Sequence, residues 1–117
     1  MGAMRAGGEP GGAGEEDVVD VLRDAIVRAV HPRRVILFGS RARGDARRES
    51  DYDILIVVAA GRDVDEVRVE ARRAMRDVPV AKDVLVVTEP AFEAWALRRS
   101  GVIREAMSDG RLLYEGA

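Results

Sequence analysis

Two acids two residues apart, Asp51 and Asp53, open the most apolar run of this 117-residue chain, Ile54-Leu55-Ile56-Val57-Val58. On a strand, residues two apart project from the same face, with Cα atoms about 6 to 7 Å apart. Each carboxylate raises the cost of ionising the other, and both lose water where a core begins. A divalent cation removes that conflict. Upstream, the apolar run Val35 to Phe38 ends in Gly39-Ser40, separated from Asp51 by ten residues. That pair suits a phosphate: a backbone that allows close approach, a hydroxyl, and amides able to open a helix. Phosphate, metal and carboxylates are therefore read as one site.

The length allows one domain with one modest core. Residues 1–14, rich in glycine, read as a disordered leader, and 15–117 as the folded domain. Aromatic residues make up only 4%, so aliphatic packing must supply most of that core. The formal net charge of -2 offers no long-range attraction to nucleic acid as a whole. With no cysteine and one histidine, disulfides, thiolate metal sites and a histidine-rich zinc site are excluded. The chain shows neither a signal-peptide pattern nor an apolar run of membrane-spanning length, so the expected compartment is the cytoplasm and no membrane partner is expected.

From Glu15, acids suited to a helix N-terminus precede Val18, Leu22, Ala25, Ile26 and Ala29 at helical spacing, and Pro32 stops the helix near Val30. Arg34 to Phe38 reads as a buried strand. Arg41-Ala42-Arg43 suits one helical turn, and residues 44–50 an exposed connection. In the strand from Asp51, Leu55 and Val57 share the face of the acids, while Tyr52, Ile54, Ile56 and Val58 take the other. A strand apolar on both faces belongs inside its sheet. Val64, Val67, Ala71, Ala74 and Met75 mark a second helix, whose arginines 68, 72, 73 and 76 read as a solvated face. Val80 to Val87 is a third strand interrupted by one acid, Asp83. Thr88, Glu89 and Pro90 then begin a helix carrying Phe92 and Trp95, helical spacing continues at Val102, Ile103, Ala106 and Met107, and Leu112 to Tyr114 closes the chain as a short strand.

Three strand acids without a histidine or cysteine cluster point to a hard cation. Magnesium takes oxygen ligands and is commonly held by one or two carboxylates together with substrate phosphates. In a two-metal arrangement one ion activates the attacking oxygen and the other steadies the leaving group. Asp51 and Asp53 would bridge both ions if the third strand lies beside the second, leaving Asp83 as a further ligand and proton acceptor. A P-loop is excluded, because Gly44 is followed by Asp45 where that motif needs lysine.

Gly39-Ser40, ten residues, then Asp51-Tyr52-Asp53 resembles the signature of the DNA polymerase β-like nucleotidyltransferase superfamily, and the small size resembles its minimal (MNT) members. The likeness extends to Arg41-Ala42-Arg43-Gly44, Ser50, Asp83 and the terminal Gly110-Arg111-Leu112-Leu113-Tyr114-Glu115. It implies an α/β (α+β) nucleotidyltransferase fold, a small mixed sheet backed by helices. It also implies Mg2+, ATP as substrate, and transfer of a nucleoside monophosphate with release of pyrophosphate. Mapped here, the catalytic and metal-binding residues are Asp51, Asp53 and Asp83, and the nucleotide-binding residues are Gly39, Ser40, Arg41 and Arg43. Many minimal members resemble the MntA-type antitoxin of HEPN/MNT toxin-antitoxin systems, which transfers AMP to a tyrosine of a HEPN-domain ribonuclease. That function is the expectation for this chain, without direct nucleic-acid binding. Two other readings stand beside it: a non-catalytic module that neutralises its partner by contact, and a nucleotidyltransferase acting on a small-molecule hydroxyl. The latter enzymes usually carry an extra helical domain for which this chain has no room.

Overall fold

A computed structural model describes residues 14–97, 101 and 108–116. In chain order the elements are α1 (Glu15–Val30), β1 (Arg34–Phe38), α2 (Ser40–Arg43), β2 (Tyr52–Val58), α3 (Val64–Ala74), β3 (Lys82–Thr88), α4 (Glu89–Ala96) and β4 (Arg111–Glu115). The expected leader, apart from Gly14, and the helical spacing expected from Val102 to Met107 fall outside the described residues.

The four strands form one mixed sheet in the order β3-β2-β1-β4. β1 runs antiparallel to both β2 and β4, and β2 runs parallel to β3. The parallel pair needs a crossover, and α3 supplies it. β2 lies inside the sheet, as its two apolar faces require: from Ile54 to Val58 every residue is buried. Full burial of one such aliphatic side chain contributes about 1.5 to 3 kcal/mol, so this run anchors the fold.

The two faces of β2 serve two cores. Tyr52, Ile54, Ile56 and Val58 meet Val19, Leu22, Ala25, Ile26 and Val30 of α1 and Val67 and Ala71 of α3, with Met75 just beyond. On the other face Leu55 and Val57 join Ile36, Val87 and Phe92 of α4. The α1 stripe is turned slightly from the spacing argument: Val19 and Val30 are buried, whereas Val18 and Ala29 pack only at its margin. Both sets lie on one broad helical face, and contact with the sheet selects between them.

Boundaries follow local chemistry. His31 closes α1 with φ 49°, its amide donating to the Val27 carbonyl, and Pro32 follows. The Asp63 side chain caps α3 by accepting from the amides of Asp65 and Glu66, and Thr88 caps α4 by accepting from Ala91. β3 starts at Lys82 rather than Val80. The Val80 amide turns back onto the Val78 carbonyl at 2.8 Å, and the Lys82 ammonium donates to the carbonyls of Val78 and Val80, each at 2.8 Å. Those bonds commit residues 78–80 to a turn.

Candidate active site

The acids stand on the sheet face opposite α1 and α3. α4 covers the far half of that face, where Phe92 packs on Leu55, Val57 and Val87, and among the described residues it places no side chain of its own in the core at the end bearing the acids. Asp53 lies in register with Asp83 on β3 and with Phe38 on β1, and Asp51 immediately precedes β2. Residues in register on adjacent parallel strands are about 4.8 Å apart and point to the same side. Asp53 and Asp83 are therefore neighbours, and Asp51 joins them from two residues upstream. Asp51 and Asp83 are exposed and Asp53 is half-buried.

Gly39 follows β1 directly and meets Asp53 from the next strand. Its backbone, at φ 76° and ψ -159°, occupies a region essentially reserved for glycine. A Cβ there would run into Asp53 Oδ2. Gly39 is thus glycine for two reasons, its conformation and the carboxylate lying against it. Ser40 opens α2, whose single turn closes through Ala42 and Arg43 amides donating to the Gly39 carbonyl, both at 3.1 Å. Gly44 ends it at φ 88° with its amide on the Ser40 carbonyl. The strand-turn-strand context brings Gly39, Ser40, Asp53 and Asp83 to one end of the sheet, with Asp51 beside them.

The two arginines of α2 part company. The Arg41 guanidinium donates to the Ser50 carbonyl at 2.9 Å and to the Arg48 carbonyl at 3.1 Å, and pairs with Glu15 at 3.4 Å. It also stacks 4.3 Å from the Tyr52 ring centroid. Tyr52 belongs to the core beneath α1, so Arg41 is held on the side away from the acids. There it secures the residues that lead into Asp51. Arg43 pairs with Asp45 at 3.4 Å and stays partly exposed at the end of α2. The clamp role of Arg41 carries no signal in residue spacing, since it depends on where the connection folds back. Burial raises the Tyr52 phenol pKa above its ordinary value; Arg41 opposes that shift and Glu15 adds to it.

An expected result follows for Arg41→Met, which keeps length but removes the donors. The part-buried Ser50 carbonyl and the exposed Arg48 carbonyl lose a charged partner, so stability to urea should fall by about 0.5 to 1.5 kcal/mol. Amide exchange across residues 47–51 should accelerate more than that of β1. Unchanged exchange there would refute the clamp.

The fit to a divalent cation turns on donor chemistry. Among the described residues, no three His, Cys, Asp or Glu side chains converge on one metal position. Two carboxylates in register, a third just upstream and a serine hydroxyl are nonetheless all oxygen donors, and the missing Cβ of Gly39 leaves the Asp53 carboxylate room. Magnesium commonly takes one or two carboxylates and fills its shell with water and substrate phosphate. The residues therefore suit a hard cation shared between protein and nucleotide.

Comparison with known proteins agrees with this geometry. The family model described as nucleotidyltransferase domain matches residues 19–113, from α1 to β4. Two proteins of Methanocaldococcus jannaschii, each carrying the name "Putative protein adenylyltransferase", are similar in sequence. One is 35% identical over 85 residues, 70% of this chain and 78% of that protein. The other is 48% identical over 44 residues, 38% of each. Among solved structures, a "putative nucleotidyltransferase" from Sulfolobus solfataricus superposes with TM-score 0.55 at 23% identity, covering 89% of this chain and 93% of that one. The toxin-antitoxin MntA-HpeT mutant gives 0.54 at 21%, over 88% and 74% of the two chains. A toxin-antitoxin with AMP-PNP gives 0.54 at 23%, over 87% and 73%. These structures share the fold. With the family model spanning most of the chain and the acids placed beside the glycine-serine turn, this chain belongs to the nucleotidyltransferase domain family and is a nucleotidyltransferase.

Proposed function

We propose that the chain transfers AMP from ATP, with Mg2+, to a hydroxyl of a cognate HEPN-type ribonuclease toxin, a tyrosine in the simplest case, and acts in the cytoplasm as its antitoxin. The observation that carries the reading is the register of Asp53 with Asp83, beside a Gly39 that has no room for a side chain. The adenylyltransferase names of the M. jannaschii relatives and the toxin-antitoxin structures of the same fold support the choice of a protein acceptor.

In this reading the Gly39 backbone and the Ser40 hydroxyl hold the β and γ phosphates, with Arg43 close to them. Arg41 keeps the connection folded instead of binding phosphate. Asp51 and Asp53 hold the metal with the triphosphate, and Asp83 completes the carboxylate set. Bound Mg2+ supplies charge neutralisation of the phosphates and lowers the cost of ionising the acceptor hydroxyl. The acceptor oxygen forms a bond to the α-phosphorus, the bond from that phosphorus to the bridging oxygen of the β-phosphate breaks, and pyrophosphate leaves. A carboxylate, Asp83 in this assignment, takes the hydroxyl proton.

The test is mass analysis of a partner co-purified with the chain and then incubated with ATP and Mg2+. The expected adduct is a nucleoside monophosphate on a tyrosine. An unmodified partner, neutralised equally well by the Asp51→Asn, Asp53→Asn double variant, would instead establish inhibition by contact alone.

A further inference from the structure

A groove of about 580 Å3 lies between α3 and the start of β3, lined by Val69, Arg72, Arg73, Arg76, Val80, Ala81 and Lys82. Residues 69, 72, 73 and 76 follow helical spacing, so α3 and its last turn present one valine and three arginines as a single stripe. Among the described residues none of those three guanidiniums forms an ion pair, whereas Arg23, Arg33, Arg34, Arg68 and Arg111 all do. Three like charges held together without a counter-ion repel one another, although Glu70 and Asp77 lie on the same segment. The opposite wall is fixed: Lys82 is bonded to the carbonyls of Val78 and Val80. The wall is also tied to the candidate active site. The Ala81 carbonyl accepts from the amide of Tyr52, between Asp51 and Asp53, and Lys82 directly precedes Asp83. β3 is an outer strand of the sheet, so the groove on the α3 face and the acids on the opposite face lie on either side of one sheet edge, at the start of β3.

We propose that this groove docks an acidic, partly apolar segment of the protein that receives the nucleotide, and so delivers a neighbouring hydroxyl past the β3 edge to the acids. The inference rests on the reading that the acceptor is a protein. Its charge calls for carboxylates, and the half-exposed Val69, with Val80 and Ala81, offers apolar surface between the arginines. No aromatic side chain lines it, so a single-stranded nucleic acid would find charge but no stacking platform.

The test uses fluorescein-labelled random copolymers of glutamate and tyrosine, read by anisotropy against the full chain, with a lysine-tyrosine copolymer and a single-stranded oligonucleotide as comparisons. The glutamate-tyrosine copolymer should bind tightest, and more weakly as salt is raised. The Arg72→Gln, Arg73→Gln, Arg76→Gln variant should lose about tenfold in affinity. Since those residues are exposed, its thermal unfolding should match the parent's. An Arg23→Gln, Arg28→Gln, Arg111→Gln variant of equal net charge should keep most of the binding. Equal loss in both variants, no loss in the groove variant, or tighter binding of the oligonucleotide would overturn the proposal. The Asp51→Asn, Asp53→Asn variant should bind the copolymer as well as the parent. Docking without incorporation of nucleotide would therefore count against the transfer reading and leave the groove assignment standing.

Discussion

Replacing Asp51 and Asp53 together with asparagine is expected to lower nucleotide transfer by at least about a thousandfold while leaving the fold intact. Asparagine keeps the shape of each side chain but cannot balance the charge of a cation carried in with the triphosphate. Loss of one preorganised electrostatic group commonly costs about a hundred- to a thousandfold in rate, and this variant removes two. The fold should tolerate the change, because neither acid belongs to the buried core and Asp53 stands in register with a like charge, Asp83. The melting temperature should stay within about 8 °C of the parent's, the shift expected from about 1 kcal/mol in a domain of this size. A rate within tenfold of the parent's would place the chemistry elsewhere on the molecule.

The second large effect is expected at Gly39, and Gly44 supplies its control. Both have positive φ, 76° and 88°, but a Cβ at Gly44 meets nothing within 4 Å, whereas one at Gly39 runs into the Asp53 carboxylate. Gly44→Ala should therefore cost only the left-handed conformation, about 1 to 2 kcal/mol. Gly39→Ala adds a backbone region that only glycine enters readily and an overlap that must push Asp53 aside. A further loss of about 1 to 3 kcal/mol in urea unfolding is expected. Displacing a catalytic carboxylate by an ångström can cost about a hundredfold, so transfer should collapse in Gly39→Ala and persist in Gly44→Ala. Similar losses of activity in the two variants would show that α2 matters only as a turn.

Much of this arrangement is legible in residue order because the chemistry is local. The alternation through Asp51-Tyr52-Asp53-Ile54-Leu55 predicts which side chains share a face, and the two cores divide β2 accordingly. Pro32 and Thr88 mark helix limits for reasons contained in single residues. Asp83 is harder: its isolation on an apolar run marks it as exceptional, but only the parallel pairing of β2 with β3 puts it opposite Asp53. Arg41 shows what residue order leaves out. An arginine one residue after the glycine-serine pair reads as a phosphate ligand, yet its donors go to the connection that folds over it. That choice depends on the path of residues 44–51, which propensity does not determine. The arginines of α3 were legible as an exposed stripe, but not as one wall of a groove, because the other wall comes from residues 80–82 and from the turn that moves the start of β3.

The central claim is that this end of the sheet transfers a nucleoside monophosphate, and it is tested most directly by following the two ends of the triphosphate. The chain and its co-purified partner are incubated with Mg2+ and ATP labelled at either the α or the γ phosphate. The account predicts that α label becomes covalently attached to the partner, that γ label leaves as pyrophosphate, and that chelation of the metal stops both. Attachment of γ label, or of neither label while ATP is bound, would contradict it.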